Sequence, residues 1–557
     1  MNLEEINLFV GPNGVGKSRI LRDIHNQMRN GHKKTVILDS INYESAKDSD
    51  DFATHVAIKE NKKIIDTYGV GCANTNLKNY NSFELLKNKT PSLNEGHGQN
   101  KKQMFEDLFS KTKVAYLDAY SRLEVAKSVA AANPNGGSPL SLLQSLTEGF
   151  EEIGEELHKI FNLAFERSIK LDRFSSGIIT FKDRKNNELK EIPNKYRKIK
   201  NFPNSFPLLD DQGDGFKSFV CIVLSILLCK DKIILIDEPE AFLHPKQIRV
   251  LGNWIAEYSL SNGNQILIAT HNSYFLNSIL NNTEINVIRL NRDNDFTRFS
   301  QISPKIVTEI SKDPLLSSLP ILESVFYRGV ILCEGDSDRV FYKSVMDKLI
   351  DCDEDILFIN THGKHVMKNI IPFVKESKVP FKLIADFDLL LSTDEFDELV
   401  KRLTTERNYQ EIISARKMFS RIIIGKTEEE LKQQTFQKLK RLLNKKSETS
   451  SMPLTKLKKS VENFSEKSKT DKIKKNGING IENEHKSLVQ HLIENSKKNG
   501  LFIVPYGDLE SWFRKNIDKR EWIEFALTNV NNNNISPQLN HFITDLYDSF
   551  RKSELPK

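Results

Sequence analysis

Short apolar runs that end in polar or acidic residues recur along this chain, and most lead into a segment with helical spacing. Continuous apolar runs of this length are typical of parallel strands buried on both faces. The runs that we predict as strands are Ile6–Val10, the apolar part of Lys232–Glu240, Gln265–His271, Gly329–Cys333, Leu357–Asn360, Phe381–Ala385 and Leu501–Val504. Helices are predicted between them, including Ser18–Met28 and Arg339–Leu349. The alternation predicts an α/β fold with parallel sheets.

Two longer segments have different patterns. Leu142–Ile169 carries apolar residues at helical spacing with acidic residues opposite. This pattern predicts a helical arm that packs on its own domain or on a second subunit. Asn74–Gln103 is rich in Asn, Lys and Gly, which predicts an exposed loop.

The composition fits a soluble globular protein, and 557 residues predict two or three domains. The apolar stretch Phe219–Cys229 is shorter than the roughly 20 residues that cross a bilayer. Glu4 and Glu5 do not fit a signal peptide. The five cysteines form no CxxC pair, which favours free thiols in a reducing compartment. We therefore expect a cytoplasmic protein that does not enter a membrane.

Positive charge is concentrated in one block. Lys401–Gly500 contains 24 Lys and Arg against 12 Asp and Glu, a local charge of 24 − 12 = +12, whereas the whole chain carries 81 − 75 = +6. Such a block suggests a polyanion partner, although a charge run by itself is more often a solvated helical face.

The segment after the first predicted strand reads GPNGVGKS. This is the full phosphate-loop pattern, in which backbone N–H groups surround phosphate oxygens at a helix N-terminus. Lys17 is predicted to contact the terminal phosphates, and the Ser18 hydroxyl to bind Mg²⁺. The predicted nucleotide-binding residues of the loop are Gly11, Asn13, Gly14, Gly16, Lys17 and Ser18.

Two further strand ends carry groups suited to a bound nucleotide. Lys232–Glu240 reads KIILIDEPE and delivers Asp237 to the metal and Glu238 to an attacking water. His271 ends the next apolar run, where its imidazole can bond the γ-phosphate. A further segment, Asp211–Ser218, reads DQGDGFKS and precedes an apolar helix.

Together, GPNGVGKS, QGDGFKS, ILIDEPEAFLHP and IATHN resemble the ABC-type ATPases, in the branch of the SMC-like and OLD (overcoming lysogenization defect) proteins. The resemblance implies an ATPase domain over residues 1–310 with a helical insertion at about 105–200, a candidate for dimerisation. It also implies a dimer or tetramer in which Gly215 and Ser218 contact the partner's ATP.

Acidic residues follow the later predicted strands in order. Residues two apart in an extended chain point the same way, and the carboxyl ends of parallel strands share one sheet edge. Six carboxylates suffice for two Mg²⁺ or Mn²⁺ ions, which suit phosphodiester hydrolysis. The carboxylates at these strand ends are Glu334, Asp338, Asp386, Asp388, Asp508 and Glu510.

The order EGDSD, GK, DFD and GDLE resembles a Toprim domain, most closely that of OLD-family nucleases. The resemblance implies a Rossmann-like Toprim nuclease domain over 325–557, in which these six carboxylates are the metal ligands and catalytic residues. A basic helical insertion at about 395–500 interrupts the domain, and its charge suits the phosphate backbone of DNA. Family nucleases also use a lysine after the last acidic motif, for which Lys515, Lys519 and Lys552 are candidates.

The function implied is an ATP-regulated, metal-dependent DNA endonuclease. Relatives of this architecture include the Gabija nuclease and retron effectors, so the resemblance extends to anti-phage defence, with a second defence subunit or a retron RNA–DNA component as partner. The alternative is a DNA-binding ATPase sensor whose Toprim site is inert. A topoisomerase or primase is weaker, because no zinc-ligand cluster or tyrosine-bearing winged-helix segment is recognisable.

Overall fold

The computed structural model of the protein describes residues 3–30, 35–42, 114–125, 127–130, 151–172, 178–185, 207–228, 232–258, 263–280, 285–293, 296–313, 316, 320–350, 355–424, 436–437, 440, 469–515 and 517–551. The chain divides into two compact units, Met1–Ser317 and Ser318–Lys557.

The described part of the first unit contains a six-stranded sheet with the order β2-β6-β7-β1-β8-β9. All neighbouring strands are parallel except β8 and β9. The strands of this unit, including a smaller antiparallel sheet of β3, β5 and β4, are β1 Ile6–Val10, β2 Val114–Leu117, β3 Val129–Ala130, β4 Arg167–Asp172, β5 Ile178–Lys185, β6 Ile233–Asp237, β7 Gln265–Ala269, β8 Asn286–Asp293 and β9 Phe296–Ile302. The three strands predicted here from their apolar runs are therefore central in the main sheet.

Helices cover this sheet and bury its apolar side chains. They are α1 Lys17–Asn30, α2 Ala119–Val125, α3 Glu151–Phe165, α4 Asp214–Leu228, α5 Pro245–Tyr258, α6 Ser273–Leu280 and α7 Pro304–Lys312. α4 is apolar on most of its surface, and ten consecutive residues from Ser218 to Leu227 are buried. This explains why its sequence shows an apolar run rather than a clear helical stripe.

The predicted helical arm is shorter than its apolar pattern. α3 ends at Phe165, Glu166 adopts a left-handed φ of 55°, and the chain continues as β4, so the prediction of a helix through Ile169 is wrong. Pairing of β4 with β5 supplies the backbone hydrogen bonds that a longer helix would otherwise make. α3 packs on its own unit: Phe161 is fully buried, and Trp254 Nε1 donates to Glu156 Oε1 at 3.1 Å. Residues 142–150 and Asn74–Gln103 lie outside the described residues.

The insertion predicted at about 105–200 is not purely helical. β2 is an edge strand of the main sheet and pairs with β6, and β3, β4 and β5 also fall within these bounds. The prediction missed β2 because four residues without flanking motifs give little signal, whereas in the folded unit they extend an existing sheet.

The second unit is built on a sheet whose four described strands are parallel and have the order β11-β10-β12-β13. They are β10 Gly329–Cys333, β11 Ile356–Asn360, β12 Phe381–Ala385 and β13 Leu501–Ile503. The sequence prediction agrees with these bounds to within one residue at each end. The helices of the unit are α8 Asp336–Leu349, α9 Lys364–Glu376, α10 Thr393–Leu403, α11 Glu406–Ile424, α12 Lys469–Asn476, α13 Asn483–Lys498, α14 Lys519–Asn531 and α15 Pro537–Arg551.

The described part of the basic block is helical, as predicted. It is also partly built into the core: in α11, Arg416 is buried, bonds the carbonyl of Leu390 and lies over the ring of Phe396. α13 leads directly into β13 and serves as the crossover to that strand. Residues 425–435 and 441–468 lie outside the described residues.

None of the helices in the described ranges combines the length and apolar character that crossing a bilayer requires.

Candidate functional site

The phosphate loop connects the buried strand β1 to the first residue of α1. Gly11 has a φ of 144°, and a Cβ there would lie 2.4 Å from the carbonyl oxygen of Leu290. Gly16 has a φ of 102°, and its Cβ would lie 2.3 Å from Ile37 Cδ1. Gly14 also has a positive φ, and Asn13 is exposed in the loop. The backbone therefore requires glycine where the motif has it, and the helix N-terminus faces the loop.

Lys17 lies across this loop. Its Nζ donates to the carbonyl oxygens of Gly11 at 2.7 Å and Pro12 at 2.8 Å. Burial lowers the pKa of Lys17, while the charges of Glu238, Glu240 and Asp237 act against that shift. The ammonium is thus held where a phosphate in the loop would meet it.

Asp237 at the end of β6 is suited to a divalent cation. The carboxylate is nearly buried, and it hydrogen bonds to the Ser18 hydroxyl and, at 3.3 Å, to Tyr116 OH. Burial raises the pKa of Asp237, and the Glu238 charge adds to the shift. No described residue donates a hydrogen bond to the buried Asp237 Oδ1. A buried oxygen without a donor beside a hydroxyl fits a hard cation.

Two glutamates face His271. Glu238 Oε1 lies 3.5 Å from His271 Nδ1 and its side chain is half-exposed, as a group acting on water requires. Glu240 is almost fully buried; its Oε1 accepts from Thr270 Oγ1 at 2.9 Å and from the His271 N–H at 3.0 Å. Glu240 therefore fixes the position of His271. Sequence reasoning missed this role, although the second glutamate of DEPE was the available signal.

Arg122 on α2 is a second group that the sequence did not indicate. It is fully buried, and Nε donates to Ser218 Oγ at 2.9 Å. Nη1 donates to the carbonyl oxygen of Asp237 at 2.5 Å, and Nη2 to that of Glu238 at 3.0 Å. Glu238 adopts a left-handed φ of 51°. Arg122 thus joins α4 to the backbone that presents both acidic residues.

The structure corrects the role predicted for Ser218. Its side chain has no exposed surface and its hydroxyl accepts from Arg122, so it cannot touch a partner's phosphate. The motif indicated a polar group near the start of α4. It could not show that the Ser218 side chain is buried, because the residue that bonds it, Arg122, belongs to α2. Gly215 lies in the first turn of α4 and is half-buried, with the Phe242 carbonyl oxygen 2.5 Å from a Cβ built there.

In the second unit, three of the predicted acidic residues converge. Carboxylate oxygens of Glu334, Asp386 and Asp388 lie within 4.8 Å of one another. Glu334 follows β10, and Asp386 and Asp388 follow β12, which pairs with β10 in parallel. The shared sheet edge brings them together, as the sequence pattern predicts.

Backbone contacts fix the ends of these strands. Thr361 donates from both N–H and Oγ1 to the carbonyl oxygen of Cys333, each at 2.9 Å, and Gly363 N donates to that of Glu334 at 2.9 Å. On the other side, Phe387 N donates to the Gly507 carbonyl oxygen at 2.9 Å. The strand ends and the loop before Asp508 are therefore joined around one small area.

Burial shifts two of the carboxyl groups strongly. It raises the pKa of Asp386 to about 8, with the charges of Asp338, Glu334 and Asp388 adding to the shift. It raises the pKa of Asp338 to about 6, opposed by the charge of Lys519. Within the described ranges no donor reaches Asp386 Oδ1. Like-charged buried oxygens with an unsatisfied acceptor fit divalent metal, which would favour their charged forms.

Asp388 differs from its neighbours because two lysines hold it. Lys364 Nζ bonds Oδ1, and Lys474 Nζ lies 2.7 Å from Oδ2. Burial tends to raise the pKa of Asp388, but the hydrogen bonds and charges of these lysines hold it below its usual value. Neither lysine was predicted as a site residue. The sequence pair Gly363-Lys364 was part of the recognised motif order, so Lys364 had a signal in the sequence. Lys474 had none, because only the fold brings it close to Asp388.

The late acidic motif adjoins this cluster. Burial and the charge of Glu510 raise the pKa of Asp508. Lys519 Nζ lies 4.0 Å from Glu510 Oε1, and its charge also acts on Asp338. Lys515 instead lies over the ring of Phe525 at 4.2 Å, and Lys552 is outside the described residues. Of the two lysine candidates that the structure describes, Lys519 lies beside the acidic groups and Lys515 does not.

Comparison with protein families finds a match within each unit. Residues 6–277 match the family AAA_21, described as "AAA domain, putative AbiEii toxin, Type IV TA system". Residues 325–388 match the family OLD-like_TOPRIM, described as "Overcoming lysogenization defect protein-like, TOPRIM domain". The predictions of an ATPase domain followed by a Toprim domain, and of an α/β fold with parallel sheets, are confirmed. These domains imply the use of a nucleotide and a divalent metal.

Individual relatives are distant. An OLD nuclease of Thermus scotoductus is 24% identical over 224 residues, which are 36% of this chain and 40% of that protein. An uncharacterized protein of Methanocaldococcus jannaschii is 31% identical over 68 residues, 12% of this chain and 60% of that protein. The chain thus matches less than two thirds of the length of either relative. Among solved structures, an SMC head bound to the C-winged helix domain of ScpA is 13% identical with a TM-score of 0.32, covering 56% of this chain and 94% of that one.

Proposed function

Because the chain joins an AAA_21-type ATPase domain to an OLD-like TOPRIM domain, we propose that it is an ATP-regulated, divalent-metal-dependent DNA endonuclease. The observation that supports this most is the convergence of Glu334, Asp386 and Asp388 at one sheet edge, with Asp338 buried beside them. Mg²⁺ is the expected ion at both sites, and Mn²⁺ is an alternative at the acidic site, because both sets of donors are hard oxygens.

In this proposal Glu334, Asp338 and Asp386 hold metal, and Asp508 and Glu510 complete the acidic surface. Metal there would supply a polarised water and neutralise charge on a phosphodiester oxygen. Lys519 contributes a positive charge between Glu510 and Asp338. The carboxylates would orient the phosphate through the metal that they hold, and Lys519 would contact it directly. The buried walls of the site would strengthen each electrostatic contact.

The first unit would bind ATP with Lys17 on its phosphates and with Ser18 and Asp237 on Mg²⁺. Glu238 would orient the attacking water and His271 the γ-phosphate. Three further parts of the proposal rest on the family resemblance. They are ATP control of cleavage, a dimer or tetramer in which Gly215 contacts the partner's nucleotide, and a role in anti-phage defence. A second defence subunit or a retron RNA–DNA component as partner rests on it too.

A DNA-binding ATPase sensor with an inert Toprim site is the second candidate. The observation in its favour is that Lys364 and Lys474 occupy both oxygens of Asp388. An acidic group neutralised in this way would not by itself hold an ion.

Incubation of the purified chain with supercoiled plasmid, in Mg²⁺ or Mn²⁺ and with or without ATP, tests the proposal. Metal-dependent nicking is expected, and it should be lost in Glu334→Ala plus Asp386→Ala. Asp336→Ala plus Asp347→Ala is the matched control, because both carboxylates lie on α8 and are exposed. Equal cleavage by both double variants would end the catalytic assignment; no cleavage by the unaltered chain would favour the sensor.

A further inference from the structure

The second unit contains a cavity of about 370 Å³ that none of the predicted metal or nucleotide ligands lines. α13 contributes Ile493 to its lining and α15 contributes Phe542. Phe502 and Ile503 of β13 also line it, so the cavity lies where these two helices extend past the strand. Its volume is within the range of about 300–1,000 Å³ that is usual for small-molecule pockets.

The floor of the cavity is the free edge of a sheet. β13 stands at the end of the order of the four described strands. Val504 N donates to the Ala385 carbonyl oxygen at 2.9 Å. Because N–H groups along a strand alternate between its two sides, the Ile503 N–H points away from β12. Ile503 is 1% exposed, and no residue in the described ranges accepts a hydrogen bond from its N–H. Such a buried N–H is rare, and a bound ligand would supply the acceptor.

A third part of the lining leads to the late acidic motif and is fixed in position. Pro505 and Tyr506 line the cavity, and the Tyr506 ring lies edge-on to that of Trp512, with 5.6 Å between the ring centroids. At Gly507, which has a φ of 131°, a Cβ would lie 2.5 Å from the Lys475 carbonyl oxygen. The segment is therefore packed against its neighbours, as a preformed pocket requires.

One lysine, one histidine and two acidic residues line the cavity on α13 and α15. Lys497 bonds Asp545 Oδ2, and its Nζ also lies 3.5 Å from Glu494 Oε2. His541 Nε2 lies 3.3 Å from the same Asp545 oxygen. With a neutral histidine, two carboxylates and one ammonium group give a charge of −2 + 1 = −1. The Glu494 side chain is 58% exposed and its contact with Lys497 is long, so a second cation can approach it.

We propose that this cavity is a binding site for a small aromatic molecule that carries a positive charge. The apolar groups of α13 and α15 would hold the ring, and Glu494 would pair with the cation. The Ile503 N–H would donate to a polar atom on the ring. The inference is independent of the proposed function, because these groups are not predicted metal or nucleotide ligands. A bound molecule would contact the segment that leads to Asp508.

Calorimetric titration of the full chain with two matched indoles tests the charge preference. 5-Hydroxytryptamine and 5-hydroxyindole-3-acetate share a ring and a hydroxyl group and differ in charge. The cation should bind at least about fivefold more tightly, since an ion pair favours it and a like charge opposes the anion. Glu494→Gln should abolish this preference. Glu484→Gln is the control, because Glu484 is exposed on α13 and does not line the cavity. Equal affinities for the two indoles, or a preference that survives Glu494→Gln, would overturn the proposal.

A blocked cavity tests the location. Gln538 is exposed and lines the cavity, so Gln538→Trp would place an indole at its entrance. This variant should lose binding of 5-hydroxytryptamine and keep the unfolding temperature of the unaltered chain. Gln410→Trp is the control, because Gln410 is exposed on α11 and outside the cavity. Binding retained by Gln538→Trp, binding lost equally in both variants, or no binding by the unaltered chain would each overturn the proposal.

Discussion

Arg122 Nη1 donates a hydrogen bond to the carbonyl oxygen of Asp237 at 2.5 Å. The same buried guanidinium bonds the Glu238 carbonyl and the Ser218 hydroxyl, so one side chain connects α4 to the end of β6. A shift of α4 would therefore move the backbone that carries the carboxylates of Asp237 and Glu238.

Arg122→Met should lower the free energy of unfolding by about 2–4 kcal/mol, because it leaves buried acceptors without donors. ATP hydrolysis should fall with it, since Glu238 loses the contact that supports its left-handed backbone. Scanning calorimetry and phosphate release measure the two effects. Arg249→Met, which removes an exposed arginine that lies over Tyr274, should change stability by less than about 0.5 kcal/mol. Similar losses in both variants would contradict the role of Arg122.

Glu238→Gln should reduce ATP hydrolysis by about 10²–10⁴-fold, the range for loss of a general base. Nucleotide affinity should be retained, because Lys17, Ser18 and Asp237 are unchanged. Fluorescent ATP binding and steady-state hydrolysis distinguish the two properties. Lys17→Ala is the contrasting variant and should lose ATP binding. Hydrolysis at the normal rate by Glu238→Gln would contradict a role of Glu238 in the reaction.

Stability of the metal-free protein should fall as pH rises. Burial raises the pKa of Asp338 to about 6 and of Asp386 to about 8, whereas an unfolded aspartate has a pKa of about 3.9. The folded state thus holds extra protons, and the stability they give is fully present below about pH 4 and lost as pH rises through 8. In EDTA the unfolding temperature should decline toward pH 8, and Mn²⁺ should restore it.

Asp386→Asn should flatten the upper part of that decline, because the group with the highest pKa is removed. Asp347→Asn, at an exposed position on α8, should leave the decline unchanged. An unfolding temperature in EDTA that rises between pH 6 and 8 would contradict the assigned shifts.

Gly507→Ala should destabilise the second unit by about 1–3 kcal/mol, because a Cβ would collide with the Lys475 carbonyl and φ is 131°. The control is Gly154→Ala in α3, where a Cβ meets nothing within 4 Å and φ is not positive. That change should stabilise by about 0.5–1 kcal/mol. Thermal unfolding compares them, and an unchanged or higher stability of Gly507→Ala would contradict the tight packing beside Lys474.

Much of this site could be predicted from sequence because its acidic residues directly follow strands. Apolar runs gave the bounds of β10 and β12, and parallel pairing then placed Glu334 beside Asp386 without knowledge of any helix. The same logic located Gly11–Ser18 at the start of α1. Local patterns suffice where the chemistry is attached to a strand end.

The groups that the sequence did not reveal act across the fold. Arg122 belongs to a short helix after a four-residue strand, and its partners lie about a hundred residues away in the chain. Lys474 is one of many lysines in a basic block, and only the packing at Gly507 selects it. The helix predicted to reach Ile169 was too long for a related reason. The residues after Phe165 form β4 because β5 pairs with them, and the local pattern does not show that pairing.

Anomalous diffraction from crystals of the protein grown with Mn²⁺ shows directly whether the acidic site of the second unit binds metal. We expect a Mn²⁺ peak within about 2.6 Å of carboxylate oxygens of both Glu334 and Asp386. A Mn²⁺ peak beside Asp237 in the presence of ATP, with none at Glu334 and Asp386, would contradict it.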